Sequence, residues 1–294
     1  MNKTLNTIVQ FIDRKILCFD YFKALFLTIK NFGKEMLGSQ AVSLSFFSTM
    51  AFAPLLAVVF SVSKGFGLEE HLMDLIHNSF GYNQDILNMM IEVAYNIIES
   101  SKGGIYGIIS FLIFVWLVIW LLLCVENAFN IIWNVEGKRN MRKRFAANIV
   151  ILIACPFVII IFLSIFIIIS QAMSNWRLTF PFMPDISQFV VWIIFWGITT
   201  VCFTAMYKYI PRIRVKLLPA LKAAFLAALI FTAIQYFYVE TQIFVSRVNK
   251  VYGVFAAIPL FMIWINMAWF TILMGSKFSF YLQELWISRK KTIN

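Results

Sequence analysis

Two clusters of basic residues stand out among the groups of this 294-residue chain that could do chemistry. The first cluster comprises Arg139, Arg142, Lys143 and Arg144, and the second comprises Arg212, Arg214 and Lys216. Both lie beside apolar runs, where cations attract anionic lipids and Arg can bind a phosphate bidentately. The clusters therefore predict a contact with lipid headgroups, although the same charges would also serve simply to orient a membrane protein.

Polar side chains inside or just beyond the apolar runs form a second candidate set. Its members are Ser45, Thr49, Glu126, Asn127, Asn130, Trp133, Gln235 and Asn266. If a helix continues through residues 126–133, Glu126, Asn130 and Trp133 share one face of it. Polar groups in membrane spans either join helices by hydrogen bonds or line a pathway, and the sequence leaves both readings open.

Six apolar runs position these groups, and each is close to the ~20 residues that cross a bilayer. The runs cover residues 40–62, 105–125, 146–170, 188–207, 218–239 and 254–275. Hydrophobic residues make up 61% of the chain and charged residues only 13%, whereas soluble domains carry about 25% charged residues. The sequence thus predicts an all-α integral membrane protein whose transmembrane domain, residues 40–275, has six helices.

Lys and Arg are concentrated in alternate connections between the runs, which predicts the orientation. They are frequent in residues 1–39, in the second and fourth loops and in residues 276–294, and sparse elsewhere. The positive-inside rule then places both termini in the cytoplasm. Residues 1–39 are predicted to be an amphipathic segment along the headgroups, residues 63–104 a helical extracytoplasmic loop, and residues 276–294 a cytoplasmic tail.

Small residues and prolines predict where the helices pack closely or bend. Pro54, Gly253, Pro259 and Gly275 are the candidate positions for kinks or close packing. Small side chains also recur every fourth residue over Ala41–Ser61, and Ala220, Ala224, Ala228 and Thr232 repeat this spacing later in the chain. Such ladders let neighbouring helices approach closely.

The residues give no sign of a catalytic, metal or cofactor site. The four cysteines, Cys18, Cys124, Cys155 and Cys202, lack metal-ligand spacing, and His71 and His77 do not share a helix face. No phosphate-binding Gly-rich motif occurs. The net charge of +11 is explained by the loops and by anionic lipid. We therefore expect no enzyme activity, no cofactor and no nucleic-acid partner.

Four stretches together resemble the YihY/BrkB family of bacterial inner-membrane proteins. They are Ala41–Leu56 (AVSLSFFSTMAFAPLL), Asn127–Val135 (NAFNIIWNV), Tyr209–Pro219, and Tyr252–Ile265 (YGVFAAIPLFMIWI) with Gly275. The resemblance covers about residues 30–285 and implies a six-helix envelope protein of the inner membrane. Members of that family have been linked to serum resistance and to lipid or lipopolysaccharide handling. The family has no agreed catalytic residues.

The expected function is the handling or transport of lipid or another envelope amphiphile, without an ATPase of its own. The expected partners are membrane lipids, above all anionic phospholipid. A homo-oligomer or an envelope partner protein is left open. The alternative is a structural or assembly factor without a substrate path. A ribonuclease, as the family was once labelled, is disfavoured because the carboxylates predicted on the cytoplasmic side are dispersed and no histidine is there.

Overall fold

The computed structural model describes residues 20–31, 33, 36–65, 92, 105–135, 184–248 and 250–293, and the regular elements among them are all helices. Residues 20–30 form α1. The longer helices are α2 (Leu37–Gly65), α3 (Ile105–Ile132), α4 (Pro184–Tyr209), α5 (Leu217–Val248) and α6 (Lys250–Ile293). No strand occurs among these residues, as the sequence predicted. Helices α2 to α6 cover five of the six apolar runs, and the run at 146–170 lies outside the described residues.

Helix α6 is the element around which the others are arranged. It packs most extensively against α5, and it also contacts α2, α3 and α4. Its 44 residues correspond to about 66 Å at 1.5 Å per residue, which is twice the ~30 Å thickness of a hydrocarbon core. The helix runs through Pro259 and continues unbroken to Ile293, so residues 276–293, which the sequence predicts to be a cytoplasmic tail, form the C-terminal part of α6.

Residues 210–216 connect α4 to α5, and we call the end of the bundle where they lie the loop end. Helix α3 also ends there, because Glu126 contacts Arg212. The chain between α1 and α2 begins there as well, because Asn31 contacts Lys277 beside this loop. Helices α3 and α4 therefore point in the same direction. Helices α2 and α5 run antiparallel to α6, as the Ser45–Asn266 and Phe231–Trp264 contacts show.

The closest helix approach occurs at Gly275 of α6. The α5 alanines Ala220, Ala224 and Ala228 are fully buried, and a Cβ atom added to Gly275 would lie 2.7 Å from the Cβ of Ala227 and 2.9 Å from the Tyr207 ring. Only glycine fits there without displacing its neighbours. The tyrosine ring occupies the volume that a side chain at residue 275 would need.

The outer surfaces of the helices are apolar, as expected of a membrane protein. Large exposed side chains include Phe46 of α2, Trp116 of α3, Val201 of α4, Phe237 of α5 and Ile263 of α6. By length and composition, three stretches among the described residues can cross a membrane: Val115–Ile132, Leu217–Thr241 and Pro259–Arg289. These surfaces bury their apolar area only in contact with lipid or with other helices.

We predict that Gly275→Ala lowers the free energy of unfolding in detergent by about 1–3 kcal/mol, because overpacking forces Tyr207 or α5 to move. Gly197→Ala is the matched control, since Gly197 lies in α4 with nothing within 4 Å of its added Cβ. There we expect no loss, and a gain of up to about 1 kcal/mol from helix propensity. Equal effects at the two sites would contradict the close-packing role of Gly275.

Candidate functional site: a polar network at the loop end

A buried ion pair joins α3 to the 210–216 connection. The Arg212 Nε donates to Glu126 Oε1 at 2.6 Å, and both side chains are mostly buried. The Asn130 side chain, one turn along the same face of α3, accepts a hydrogen bond from the Arg212 backbone N–H at 3.2 Å. Two positions of the candidate polar set thus bind the same residue of the second basic cluster.

The same connection is held from the other side by α6. Gln283 Oε1 accepts a hydrogen bond from the Lys216 backbone N–H at 2.7 Å, and its Nε2 donates to the Arg214 carbonyl at 3.5 Å. We call Glu126, Asn130, Arg212 and Gln283 the loop clamp. Because the backbone of residues 212–216 is fixed on both sides, the direction in which the exposed Arg214 and Lys216 side chains leave it is fixed too.

The end of α3 is shaped so that it can supply this clamp. Asn134 has a φ of 49°, its N–H bonds to the Ile131 carbonyl at 3.1 Å, and the Val135 N–H bonds to the Asn130 carbonyl at 2.9 Å. This pair of bonds is a Schellman motif, and asparagine is one of the few side chains that favour its left-handed position. The buried Trp133 in the final turn donates to Ser276 Oγ at 3.1 Å and ties α3 to α6.

A second polar cluster docks α1 at the loop end. Lys277 of α6 is only 1% exposed, and its ammonium donates to the Asn31 carbonyl at 2.6 Å. The Asn31 amide in turn donates to the Tyr281 hydroxyl at 2.8 Å. A lysine is rarely so buried unless its charge is met by polar groups, and here it meets the carbonyl end of α1, where the helix dipole favours a cation.

Aromatic and ionic contacts complete the docking of α1. The Tyr21 ring packs edge-on against Phe278 with centroids 5.0 Å apart, and its burial raises the pKa of the Tyr21 phenol. Asp20 lies 3.7 Å from Arg289 near the far end of α6. Helix α1 is therefore fixed to α6 at both of its ends.

The chain is similar to known proteins over most of its length. The family described as Virulence factor BrkB matches residues 28–293. The chain belongs to the BrkB family. Its relatives include a UPF0761 membrane protein of Actinobacillus pleuropneumoniae, 27% identical over 85% of this chain and 89% of the relative. No solved structure matches it.

Two further UPF0761 membrane proteins are longer than this BrkB-family chain. The one from Acinetobacter baylyi is 29% identical over 89% of this chain but only 62% of the relative. The one from Paraburkholderia xenovorans is 28% identical over 83% of this chain and 56% of the relative. Against these two, the chain spans less than two thirds of the relative's length. The shared name nevertheless establishes that the chain is similar to membrane proteins.

The other candidate residues that the structure describes lie on α2, α3 and α6 of this BrkB-family bundle. Asn127 is exposed, Thr49 donates to the Ser45 carbonyl at 2.8 Å, and Asn266 donates to Ser45 Oγ at 3.4 Å, so the last contact joins α6 to α2. Pro54 and Gly253 lie within the unbroken helices α2 and α6. The first basic cluster, residues 139–144, lies outside the described residues. The described residues contain no group of three or more His, Cys, Asp or Glu side chains that could hold a metal ion.

Two polar side chains between α5 and α6 carry atoms without hydrogen-bond partners. Gln235 Oε1 and Trp264 Nε1 are buried and unpaired within the part of the chain that the structure describes. The Trp264 ring lies 6.5 Å from the ring of Phe231 and 5.1 Å from that of Tyr238. Phe231 lies four residues before Gln235 and Tyr238 three residues after it, so the three side chains share one face of α5. The free acceptor and the free donor therefore belong to the same helix interface.

Sequence reasoning missed Lys277, Ser276 and Gln283, as well as Asn31. All four lie outside the apolar runs, in segments that were expected to be amphipathic or a cytoplasmic tail. One signal was available: Ser276, Phe278, Ser279 and Leu282 continue the pattern of small and apolar residues past Gly275. That continuation marks a helix still packed against its neighbours beyond the end of the hydrophobic run.

We predict that Glu126→Gln lowers the free energy of unfolding in detergent by about 1–3 kcal/mol, because it leaves the mostly buried Arg212 guanidinium without its carboxylate. Glu284→Gln is the control, since Glu284 is exposed on α6. A double-mutant cycle with Arg212→Gln should show coupling between the two clamp residues. Additive losses in that cycle would mean that the ion pair does not hold the loop.

Proposed function

We propose that this BrkB-family protein handles lipid or a similar amphiphile in the bacterial inner membrane, passively or with a partner, without an ATPase and without enzyme activity of its own. Family membership supports the membrane location. The rival function is a structural or assembly factor of the envelope that has no path for a substrate. The two functions differ in whether the interior of the bundle can bind a polar group of a lipid.

The observation that carries the proposal is the pair of unpaired atoms on Gln235 and Trp264. Leaving a buried donor or acceptor unpaired costs about 1–3 kcal/mol. Tyr207 and Ser279 also carry such atoms, but they lie in the fully buried core, whereas Gln235 and Trp264 are only partly buried. Together Gln235 and Trp264 offer one acceptor and one donor, which is what a hydroxyl group of a lipid headgroup or glycerol can satisfy. Exposed apolar side chains on the same part of α5, such as Tyr236 and Phe237, leave this interface next to lipid.

The loop end supports the same proposal from the side where charge is concentrated. Arg214 and Lys216 are exposed on a backbone that the loop clamp fixes, and Lys216 lies 5.7 Å from the centroid of the Trp286 ring. Anionic headgroups are attracted to such cations at about 1 kcal/mol each. The proposed partner is therefore anionic phospholipid, and the predicted contribution of residues 139–144 would add to this attraction.

The direction of the helices supports six spans with both termini in the cytoplasm. Helices α3 and α4 both end at the loop end, so we propose a further span between them. The apolar run at 146–170, which lies outside the described residues, is long enough to be that span. With the basic connection on the cytoplasmic side, α2 starts and α6 ends there as well.

Reporter fusions test this topology directly. Fusions after residues 140, 213 and 294 are expected to report the cytoplasm, and fusions after residues 85, 180 and 247 the opposite side. A cytoplasmic signal after residue 180 would remove the third span from the proposal. The measurement uses paired enzymes that are active only inside or only outside, so that each position gives a positive signal in one of them.

Lipid handling is tested with purified protein in vesicles that contain a fluorescent phosphatidylglycerol. We expect the wild type to speed the exchange of labelled lipid between leaflets, read as the fraction that dithionite quenches. Gln235→Leu and Trp264→Phe should each slow this exchange about fivefold, the equivalent of one lost hydrogen bond of about 1 kcal/mol.

Trp269→Phe is the matched control for that assay. Trp269 Nε1 already donates to Ser48 Oγ at 2.8 Å, so its loss weakens the contact between α2 and α6 and leaves the proposed lipid contact intact. Exchange no faster than in protein-free vesicles would favour the structural role instead. An equal slowing in all three variants would show a general loss of stability.

A further inference from the structure

Helix α1 presents a second apolar face that nothing in the described structure covers. Phe22, Phe26 and Ile29 are 66%, 62% and 60% exposed. At about 100° per residue these three positions fall within about 60° of each other around the helix. The opposite face, with Ala24 and Thr28, is buried. The exposed residues thus form a continuous apolar stripe pointing away from the bundle.

The contacts of α1 show how it lies relative to α6. Tyr21 contacts Phe278, and Asn31 contacts Lys277. Residues ten apart on α1, about 15 Å along its axis, therefore meet adjacent positions of α6. The Asp20 contact lies further along α6, at Arg289. All of these contacts fall after residue 275, where the apolar run of α6 ends, so α1 lies at the level of the membrane surface if α6 stands across the membrane.

Charge on α1 lies where such a helix would need it. Lys23 and Lys30 are exposed and occupy the flank next to the apolar stripe, and the Lys30 ammonium lies 5.9 Å from the centroid of the Phe26 ring. The acidic Asp20 is matched by Arg289. Lysines beside an inserted apolar face extend their ammonium groups to the headgroup level.

We propose that α1 lies at the membrane surface and inserts Phe22, Phe26 and Ile29 into an anionic bilayer while α6 holds its other face. Continuity supports lipid as the occupant, since α2, the next helix in the chain, also begins with exposed apolar side chains at Val42 and Phe46. The inference depends on the membrane location of the protein and not on lipid handling, so the two can fail separately.

Nitroxide labels on single cysteines test the proposal in the full-length protein. The background has Cys18, Cys124, Cys155 and Cys202 replaced by alanine, and the labels are placed by Phe26→Cys and Ile29→Cys, with Lys23→Cys and Lys30→Cys as controls. In vesicles of phosphatidylethanolamine and phosphatidylglycerol, labels at 26 and 29 should collide more often with oxygen than with a water-soluble nickel complex. Labels at 23 and 30 should show the reverse preference.

Each other result overturns a stated part of the proposal. Free collision of the nickel complex with labels at 26 and 29 would place the stripe in water. Exclusion of both reagents, with an immobilised spectrum, would mean that protein covers the stripe, either a second copy of the chain or another partner. In vesicles of phosphatidylcholine alone, the oxygen-to-nickel ratio at residue 26 should fall severalfold, and an unchanged ratio would remove the role of anionic lipid.

Discussion

Residues 210–216 join two helices without helical structure, and the need to satisfy their backbone polar groups governs the rest of the loop end. Beside a membrane, an unpaired N–H or C=O is costly, and a loop has no helical neighbours to supply partners. Asn130 and Gln283 supply them, from α3 and α6 respectively. Those two helices therefore have to continue past their apolar runs, with the clamping residues at fixed heights.

The position of α6 follows from that requirement and from its close packing on α5. Gly275 and the buried alanines of α5 let the two backbones approach, and the ring of Tyr207 fills the space that glycine leaves. Directly after Gly275, α6 changes from apolar packing to polar contacts through Ser276 and Lys277. The close approach at Gly275 and the hydrogen bonds of Ser276 and Lys277 fix the rotation of α6 about its axis. That rotation in turn fixes the direction in which the Gln283 side chain points.

Much of the architecture could be predicted from the sequence, because hydrophobic length and helical period are local signals. The apolar runs that begin at residues 105 and 218 correspond to α3 and α5, and the helix face shared by Glu126 and Asn130 was readable from their spacing alone. The partner of Glu126 was not readable, since Arg212 is 86 residues away. A basic cluster in a sequence does not show whether a given side chain binds lipid or a carboxylate. Only the fold distinguishes Arg212, which binds Glu126, from the exposed Arg214.

Lys277 shows the limit most clearly, because a lysine after an apolar run reads as a solvated charge. Its burial becomes intelligible only when the carbonyl end of α1 is placed against it, and that contact spans 246 residues of sequence. The four residues of the loop clamp have partners that rigidify the loop end, whereas Gln235 and Trp264 keep unpaired atoms between α5 and α6. The same protein supplies a hydrogen-bond partner for a lysine that is only 1% exposed. The interface between α5 and α6 could equally have carried leucine, which needs no such partner. A rigid, charged end together with an unsatisfied polar interface next to exposed apolar side chains is the arrangement on which the proposed binding of a ligand rests.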